Sequence, residues 1–194
     1  LLTSIEDPLD RTTSFQYDAS RRPTKITYPE GNSVNYTYDG RGNVLTTTAK
    51  APPASTETDI VTSATYPATC ANRVTCNQPI TTTDARGAVT NYEYDPNHGG
   101  VTKITLPAPQ AGAHRPETRI EYDERNAWIS NGAGGYYQWP VGVTLPVSIS
   151  SCAEGTASTC VGTADEIETT ITYGRTGVAN NLHPTEISPG GCRP

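Results

Sequence analysis

Acidic side chains are the first candidates for chemistry in this chain, because four of them directly follow a tyrosine. Paired carboxylates can act as general acid and base, and clustered carboxylates can bind Ca²⁺. The Tyr-Asp step recurs along the chain, however, whereas a catalytic pair is made once. Asp also accepts hydrogen bonds from backbone N–H groups in turns. We therefore predict turn-capping carboxylates, with no catalytic, cofactor or metal site, at Asp18, Asp39, Asp95 and Asp123.

The histidines give no stronger indication of catalysis. His98, His114 and His183 lie in segments rich in Gly and Pro, far apart in sequence. No Ser-His-Asp arrangement and no metal-ligand spacing accompanies them. We predict that they are surface residues of loops and that the chain is not an enzyme.

The cysteines fall into two close pairs and a single residue. Cys70 with Cys76, and Cys152 with Cys160, are each close enough to form a local disulfide, and nothing nearby completes a four-ligand zinc site. Disulfides are the favoured interpretation, with free thiols and a metal site as alternatives. They would imply an oxidising compartment, periplasmic or extracellular. Cys192 is then free, paired outside this chain, or paired with a second copy.

Aromatic residues cluster around a glycine-rich stretch. Trp128 precedes Gly132 to Gly135, and Tyr136, Tyr137 and Trp139 follow it. Rings on a flexible loop can stack on sugar faces, which makes this the candidate ligand-binding site. The alternative, which we favour, is that the rings pack onto a sheet while the glycines turn the chain. No Lys-Ser/Thr follows, so the stretch is not a phosphate-binding loop.

Composition indicates which elements must position these residues. Hydrophobic residues make up 34% of the 194, with no Met and one Phe, so a thick aliphatic core is excluded. Abundant Thr and Tyr suit half-buried strands, and 17 Gly and 16 Pro favour turns. The composition therefore predicts an all-β fold with many short strands.

Charge and hydropathy exclude two classes of partner. The net charge of −6 and the isoelectric point near 5.0 argue against nucleic acid, which is bound by clusters of Lys and Arg. Apolar runs are far shorter than the ~18–20 residues that span a bilayer, so no membrane span is predicted. With neither an initial Met nor a signal peptide, the chain is expected to be a piece of a longer polypeptide, whose remainder is its first partner.

A short pattern recurs five times and predicts the hairpins. An aromatic or β-branched residue, a spacer and a Tyr precede an acidic or Gly turn, so the first and third residues share one face of a strand. A lone hairpin is marginally stable, so successive hairpins should pair edge to edge, with Tyr rings stacked across strands. The pattern residues are Phe15, Tyr17 and Asp18; Tyr36, Tyr38 and Asp39; Tyr92, Tyr94 and Asp95; Ile120, Tyr122 and Asp123; and Ile171, Tyr173 and Gly174.

The fold class predicted from these units is all-β, with repeated antiparallel hairpins forming one continuous curved strip over residues 1–194. Residues 141–149 alternate as the clearest single strand, with Pro146 at an edge or a bulge. Residues 50–69 and 107–116 are expected to be extended loops. The units lie near 13–28, 29–49, 80–106, 117–130 and 167–188, with disulfide-stapled insertions at 50–79 and 131–166.

The pattern Gly-x-x-x-x-Tyr-x-Tyr-Asp-x-x-Gly, clearest at 31–43 and 84–100, resembles the YD-repeat or RHS (rearrangement hotspot) family. The last unit departs from it, because Gly174 replaces Asp. In the family these repeats form a β-strip that spirals into a hollow shell, found in bacterial polymorphic toxins, insecticidal toxin complexes and teneurins. The cysteine-bearing insertions look like those of a secreted bacterial subset.

The resemblance implies a non-enzymatic length of shell wall in a secreted or cell-surface bacterial protein, around a C-terminal effector. One alternative is an extracellular module that binds surface glycan or protein through the aromatic loop at 128–139. A further alternative is a filament or surface structure assembled through exposed strand edges or Cys192.

Overall fold

The computed structural model describes residues 1–152 and 157–190. In this part of the chain, thirteen strands form a sheet in which neighbours in sequence are neighbours in space, and the pairings are antiparallel. The prediction of an all-β fold built from successive antiparallel hairpins is confirmed. The strands are β1 (Ser4–Glu6), β2 (Thr12–Tyr17), β3 (Pro23–Thr27), β4 (Ser33–Tyr38), β5 (Val44–Lys50), β6 (Ile60–Thr65), β7 (Thr81–Thr83), β8 (Val89–Tyr94), β9 (Val101–Thr105), β10 (Glu117–Ser130), β11 (Tyr136–Cys152), β12 (Glu166–Tyr173) and β13 (Pro184–Ser188), with one helical turn, α1 (Ala157–Cys160), before β12.

The first of two compact units, Leu1–Asn91, holds β1 to β7 and the start of β8. Around the pattern residues of β2 and β4, exposed and half-buried side chains alternate with the predicted period of two residues. The spacers Gln16 and Thr37 are exposed, whereas the ring-bearing residues on either side of each are half-buried. Phe15 faces Ile26 across the β2–β3 pair. Bulky and β-branched residues suit such a half-buried, pleated surface.

One five-residue turn recurs in this unit. The N–H of its first residue donates to the carbonyl of the fifth, and the N–H of the fourth donates to the carbonyl of the first, at 2.9–3.2 Å. The fourth residue has a positive φ, a conformation that glycine adopts without steric cost. The turns begin at Asp7, Asp18, Tyr28, Asp39 and Asp84, and their fourth residues are Asp10, Arg21, Gly31, Gly42 and Gly87.

The second unit, Tyr92–Pro194, is dominated by the long β10–β11 hairpin. Strand β9 pairs with β10 only at residues 117–119, and β12 pairs with β11 only at residues 148–152. The rest of the hairpin extends beyond both neighbouring strands. Pro146 lies at a register shift opposite Tyr122, so it occupies a bulge, one of its two predicted positions.

Few apolar side chains are fully buried. Among the described residues the buried hydrophobic side chains are Tyr173 and three cysteines, Cys76, Cys152 and Cys160. The other large aliphatic and aromatic side chains of these residues divide almost equally between half-buried and exposed positions, as the thin predicted core requires.

One predicted loop is wrong in part. Residues 50–69 were expected to be extended loop, but Ile60–Thr65 is strand β6, paired with β5 on one side and β7 on the other. The β-branched run that begins at Ile60 was the signal, and the surrounding Ala, Pro and Ser residues obscured it. Residues 107–116 contain neither strand nor helix, as expected.

Candidate functional site

The carboxylates that follow tyrosine close turns in three of the four predicted places. Asp18 Oδ1 accepts the Arg22 N–H at 2.9 Å, and Asp39 Oδ1 accepts the N–H groups of Arg41 and Asn43 at 2.8 and 2.9 Å. Asp95 Oδ1 accepts the Asn97 N–H at 2.7 Å. Each carboxylate is therefore committed to the backbone of its own turn.

The same capping occurs where no tyrosine precedes the acid, a feature that the sequence analysis missed. Asp7 accepts the N–H of Leu9 at 2.8 Å, and Asp84 accepts the N–H groups of Arg86 and Ala88, both at 2.9 Å. The signal was available, because each acid opens a five-residue segment between β-branched runs.

Backbone hydrogen bonds lower the pKa of several of these carboxyls. The Arg22, Ala88 and Asn97 N–H groups make the largest contributions at Asp18, Asp84 and Asp95 respectively. Desolvation raises the pKa of Asp39, but hydrogen bonds from Asn43 and Arg41 outweigh it, so that this pKa is also lowered. A general acid needs the opposite shift, so these carboxyls suit turn stabilisation better than catalysis at neutral pH.

Asp123 is not a turn residue, and its predicted role is corrected. It lies within β10, opposite Leu145, and its Oδ2 is 3.7 Å from Arg125 Nε. The strand continues to Ser130, which moves the turn to residues 131–135. There Asn131 Oδ1 accepts the N–H groups of Ala133 and Gly135, each at 2.9 Å, and so takes over the capping role.

Gly174 replaces Asp because the chain returns too close for a side chain. A Cβ at this position would lie 2.8 Å from Asn181 Cα and 2.9 Å from the Asn180 carbonyl oxygen. The Gly174 N–H donates to the His183 carbonyl at 3.0 Å, closing a longer loop over residues 174–183.

The tyrosines of the pattern anchor one strand to the backbone of an earlier segment. Tyr17, Tyr38 and Tyr173 donate their hydroxyls to the carbonyls of Leu2, Pro23 and Pro146, each at 2.7 Å. Tyr122 donates to the Val101 carbonyl at 3.1 Å. A bond from the tyrosine hydroxyl to an earlier backbone carbonyl thus recurs in four units, whereas the sequence analysis had assigned the rings to stacking alone.

Cations rather than second tyrosines lie over two of these rings. The Arg22 guanidinium carbon is 4.6 Å from the Tyr38 ring centre, and that of Arg125 is 5.3 Å from the Tyr173 ring centre. The stacked tyrosine pair recorded in the structure, Tyr92 with Tyr94, lies within one strand. At Tyr38 and Tyr173 the structure shows a guanidinium near the ring, and the predicted stacking of tyrosine rings between strands stays a prediction.

Other pattern positions occupy the half-buried side of their strands. Phe15, Tyr36, Tyr92, Ile120 and Ile171 are all of intermediate exposure. Aromatic and β-branched side chains suit such partly buried positions on a pleated strand.

The aromatic residues proposed for ligand binding lie at the end of the β10–β11 hairpin. Trp128 pairs with Gln138 and is half-buried, whereas Tyr136, Tyr137 and Trp139 are 43%, 45% and 45% exposed. The partial exposure of the last three is compatible both with packing onto the sheet and with ligand binding, and both stay predictions. These three rings remain available to a partner.

Asn181 fixes the base of this aromatic segment, and the sequence analysis did not identify it. Its side chain is 1% exposed. Asn181 Nδ2 donates to the Asn126 carbonyl at 2.8 Å, and Oδ1 accepts the Trp128 N–H at 3.0 Å. Asn126 and Trp128 lie on either side of a register shift of the hairpin, so Asn181 holds β10 where its pairing with β11 is irregular.

Both close cysteine pairs form disulfides. The Cα atoms are 4.9 Å apart in Cys70–Cys76 and 5.7 Å apart in Cys152–Cys160. The first closes a loop between β6 and β7, and the second joins the end of β11 to α1. Cys192 lies outside the described residues.

A part-buried ion pair lies against the second disulfide. Arg119 Nη2 is 3.0 Å from Glu166 Oε1, and Arg119 also contacts the sulfurs of Cys152 and Cys160 at 3.5 and 3.7 Å. The Gly162 N–H, foremost, and the Arg119 side chain lower the pKa of Glu166. This arrangement fixes β10, β11 and β12 to one another where they pair.

The same place holds the one grouping of potential metal ligands in residues 1–152 and 157–190. Cys152, Cys160 and Asp165 offer ligand atoms within 4.8 Å of one another. Two of these groups are consumed by the disulfide, and the Arg119 guanidinium disfavours a cation. Disulfide-bonded sulfurs cannot ligate as thiolates, so the residues do not fit a metal centre.

His98 is the one histidine of the three that the structure packs against a ring. Its ring centre is 4.7 Å from that of Tyr122, and its Nδ1 accepts the Gly100 N–H at 3.1 Å. The nearby ions are paired with each other, Lys103 Nζ with Glu93 Oε1 at 2.6 Å. His114 and His183 are exposed, as predicted for surface loops.

A family comparison now bears on the repeated hairpins. The RHS Repeat family matches residues 1–33 and 22–52, which contain the turns that begin at Asp7, Asp18, Tyr28 and Asp39. Residues 1–52 of this chain therefore match RHS repeats. The five-residue turn that opens at Asp84 extends the same local geometry beyond the matched RHS residues.

Several solved structures are similar to this chain. They include the crystal structure of TcdB2-TccC3-Cdc42 (18% identity, 91% of this chain, 9% of that chain, TM-score 0.49) and the Photorhabdus luminescens Tc holotoxin pore (18% identity, 91% and 9%, TM-score 0.49). The crystal structure of TcdB2-TccC3 without its hypervariable C-terminal region is also similar (16% identity, 90% and 10%, TM-score 0.47). The chain thus spans about a tenth of the length of these proteins. A search among curated proteins found no match.

Among the described residues, no helix is long and apolar enough to cross a membrane.

Proposed function

We propose that this chain is a non-enzymatic length of wall in an RHS-repeat shell. The observation that carries the proposal is the coincidence of RHS repeats with a sheet whose strands follow one another in sequence order. A sheet of this kind has few fully buried apolar side chains and grows by adding hairpins, which is what a wall requires.

Contacts between successive hairpins support this role. Arg22, from the turn after β2, donates from Nη1 to the Asp39 carbonyl at 3.0 Å, and it also covers the Tyr38 ring. The Tyr38 hydroxyl in turn donates to Pro23, at the start of β3. The β2–β3 hairpin is thus fastened to the β4–β5 hairpin by groups that belong to the repeat itself.

The carboxylates give a reason to propose a non-enzymatic role. In the described turns, the acids that recur with the repeat are engaged by backbone N–H groups, and their pKa values are lowered. The two disulfides favour an oxidising compartment, so we place the protein at the bacterial surface or outside the cell. Enclosure of an effector carried by the same polypeptide is the role that best fits a wall.

Cryo-electron microscopy of the complete polypeptide that carries this chain tests the proposal. We expect a hollow shell in which residues 1–152 and 157–190 form part of the wall. Limited proteolysis supplies a second readout: a reporter fused after the repeats should be cut more slowly than the same reporter added separately. A solid particle, a filament, or equal cleavage of both reporters would overturn the proposal.

A further inference from the structure

The end of the β10–β11 hairpin, residues 126–143, is a two-stranded segment that we call the aromatic ribbon. It lies beyond the pairing of β9 with residues 117–119 and of β12 with residues 148–152. Its base is fixed by Asn181, and its turn is closed by Asn131. The ribbon is therefore an ordered projection of the second unit and is separate from the repeats that match the RHS family.

Charge is missing from this part of the sequence. Between Arg125 and Glu154 there is no Asp, Glu, Lys, Arg or His, in a chain whose residues are 18% charged. The three residues directly before the ribbon, Asp123, Glu124 and Arg125, are all charged. Placing the turn end of the ribbon against an apolar phase would therefore desolvate no ionised side chain, whereas the Glu124 side chain, which lies over Gly142 near the base, would resist deeper burial.

The exposed side chains of the ribbon are largely aromatic and aliphatic. Tyr136, Tyr137 and Trp139 are almost half exposed, and Val141 is 65% exposed. Ile129 and Val143 add further exposed apolar surface. Tyr and Trp, with an apolar body and a polar atom, are enriched where lipid headgroups meet acyl chains.

The polar side chains of the ribbon are mostly engaged by its own backbone. Asn131 Oδ1 binds two turn N–H groups, Asn126 Nδ2 donates to the Trp139 carbonyl at 3.0 Å, and Ser130 Oγ accepts the Gly132 N–H at 3.3 Å. Sugars offer mainly hydroxyl groups and need free polar partners beside a stacking ring. Apart from the exposed Gln138, the ribbon offers mainly rings and methyl groups, which favours lipid over glycan.

We propose that the aromatic ribbon binds the interfacial region of zwitterionic lipid membranes. The rings of Tyr136, Tyr137 and Trp139 enter the headgroup region, and the acids at the base stay in water. The open edges of a two-stranded ribbon carry unpaired backbone groups, so the ribbon lies at the interface and does not cross the hydrocarbon. Because no ribbon side chain is charged, binding needs neither anionic lipid nor low salt.

The chain reports this binding directly, because its two tryptophans, Trp128 and Trp139, both lie in the ribbon. The 194-residue chain is titrated with phosphatidylcholine vesicles, with vesicle co-sedimentation in parallel. We expect a blue shift of Trp emission, quenching by lipids brominated near the headgroup, and a bound fraction unchanged between low and high salt. In Trp128→Phe, the remaining Trp139 should retain the shift.

Matched variants distinguish vesicle binding through the ribbon from nonspecific binding through other exposed apolar side chains. Trp139→Ser and Tyr137→Ser should each lower the vesicle partition coefficient on the order of tenfold. Leu9→Ser, which removes a 71% exposed apolar side chain in the first unit, should leave it unchanged. Thermal unfolding checks that each variant is folded.

Several results would overturn the proposal. These are the absence of vesicle binding by the folded chain, binding that requires anionic lipid, and binding that persists in both folded ribbon variants. Saturable glycan binding lost in Trp139→Ser, without vesicle binding, would assign the ribbon to sugars. Self-association lost in that variant, again without vesicle binding, would assign it to a second copy of the chain. The outcome is independent of whether the complete polypeptide forms a shell.

Discussion

At the residue scale, the recurring turn shows how one φ angle selects an amino acid. Arg21 holds the fourth position of its turn with φ of 66°, where two later turns have glycines with φ of 84° and 96°. The left-handed conformation costs a residue with a Cβ roughly 1–2 kcal/mol, part of which is offset by the greater unfolded-state entropy of glycine. The Arg21 side chain is exposed, so its removal costs little packing.

We therefore expect Arg21→Gly to stabilise the chain by about 0.5–1 kcal/mol, measured as a raised midpoint of thermal unfolding. Ser20→Gly is the matched control, because Ser20 precedes it in the same turn without a positive φ. That control should lower the midpoint or leave it unchanged. An Arg21→Gly midpoint at or below that of the wild type would contradict the strain argument.

The capping carboxylates give a pH dependence with a definite sign. The pKa of folded Asp39 is lowered from 3.8, so this group stabilises the fold at neutral pH. That contribution is lost as pH falls below about 4 and through the folded pKa, because the unfolded chain takes up the proton first. Asp39→Asn keeps an oxygen acceptor for the turn, as Asn131 does, but does not ionise.

Urea unfolding at neutral pH and near pH 3 measures this effect. Asp39→Asn should reduce the difference in unfolding free energy between the two conditions. Asp123→Asn is the control, since the Asp123 carboxylate accepts no recorded backbone hydrogen bond in the described part of the chain. A difference in Asp39→Asn as large as in the wild type would show that the carboxylate contributes nothing to acid sensitivity.

At the element scale, the sequence predicts what depends on near neighbours. Side chains that alternate with a period of two residues predict strands, and a turn residue every few positions predicts where they end. These two signals were enough to predict the hairpins, because the side-chain period and the positive φ are local properties. Asp123 shows the limit of such local signals. The turn predicted there lies at residues 131–135 instead, because β10 continues to Ser130, and this length depends on pairing with β11. Contacts between residues far apart in sequence have no local signal. Examples are Arg119 with Glu166, which are 47 residues apart, and Asn126 with Asn181, which are 55 residues apart.

The Asn181 contact yields a prediction for the β10–β11 hairpin. Asn181→Ala leaves the Trp128 N–H and the Asn126 carbonyl without their partner, at a cost of about 1–3 kcal/mol. We expect a lower unfolding midpoint and faster hydrogen exchange at the Trp128 amide. His183→Ala, an exposed side chain in the same 174–183 loop, should change neither. Unchanged exchange at Trp128 in Asn181→Ala would mean that the hairpin holds its register shift without this loop.

At the scale of the whole molecule, stability should be local. Strands contact mainly the strands next to them in sequence, as in other repeat architectures, so a defect has few routes by which to spread. Tyr38→Ser removes the hydroxyl bond to Pro23 and the ring under Arg22. Tyr173→Ser removes the corresponding bond to Pro146 and the ring under Arg125.

Hydrogen exchange read by mass spectrometry distinguishes local from global opening. In Tyr38→Ser we expect faster exchange in β3, β4 and β5, with protection retained in β10 and β11. Tyr173→Ser should give the reciprocal pattern, because its partners lie in β10, β11 and the strands beside them. If either substitution accelerated exchange equally throughout the chain, the sheet would unfold as one cooperative body, and independent fastening of each hairpin by its tyrosine and arginine would be wrong.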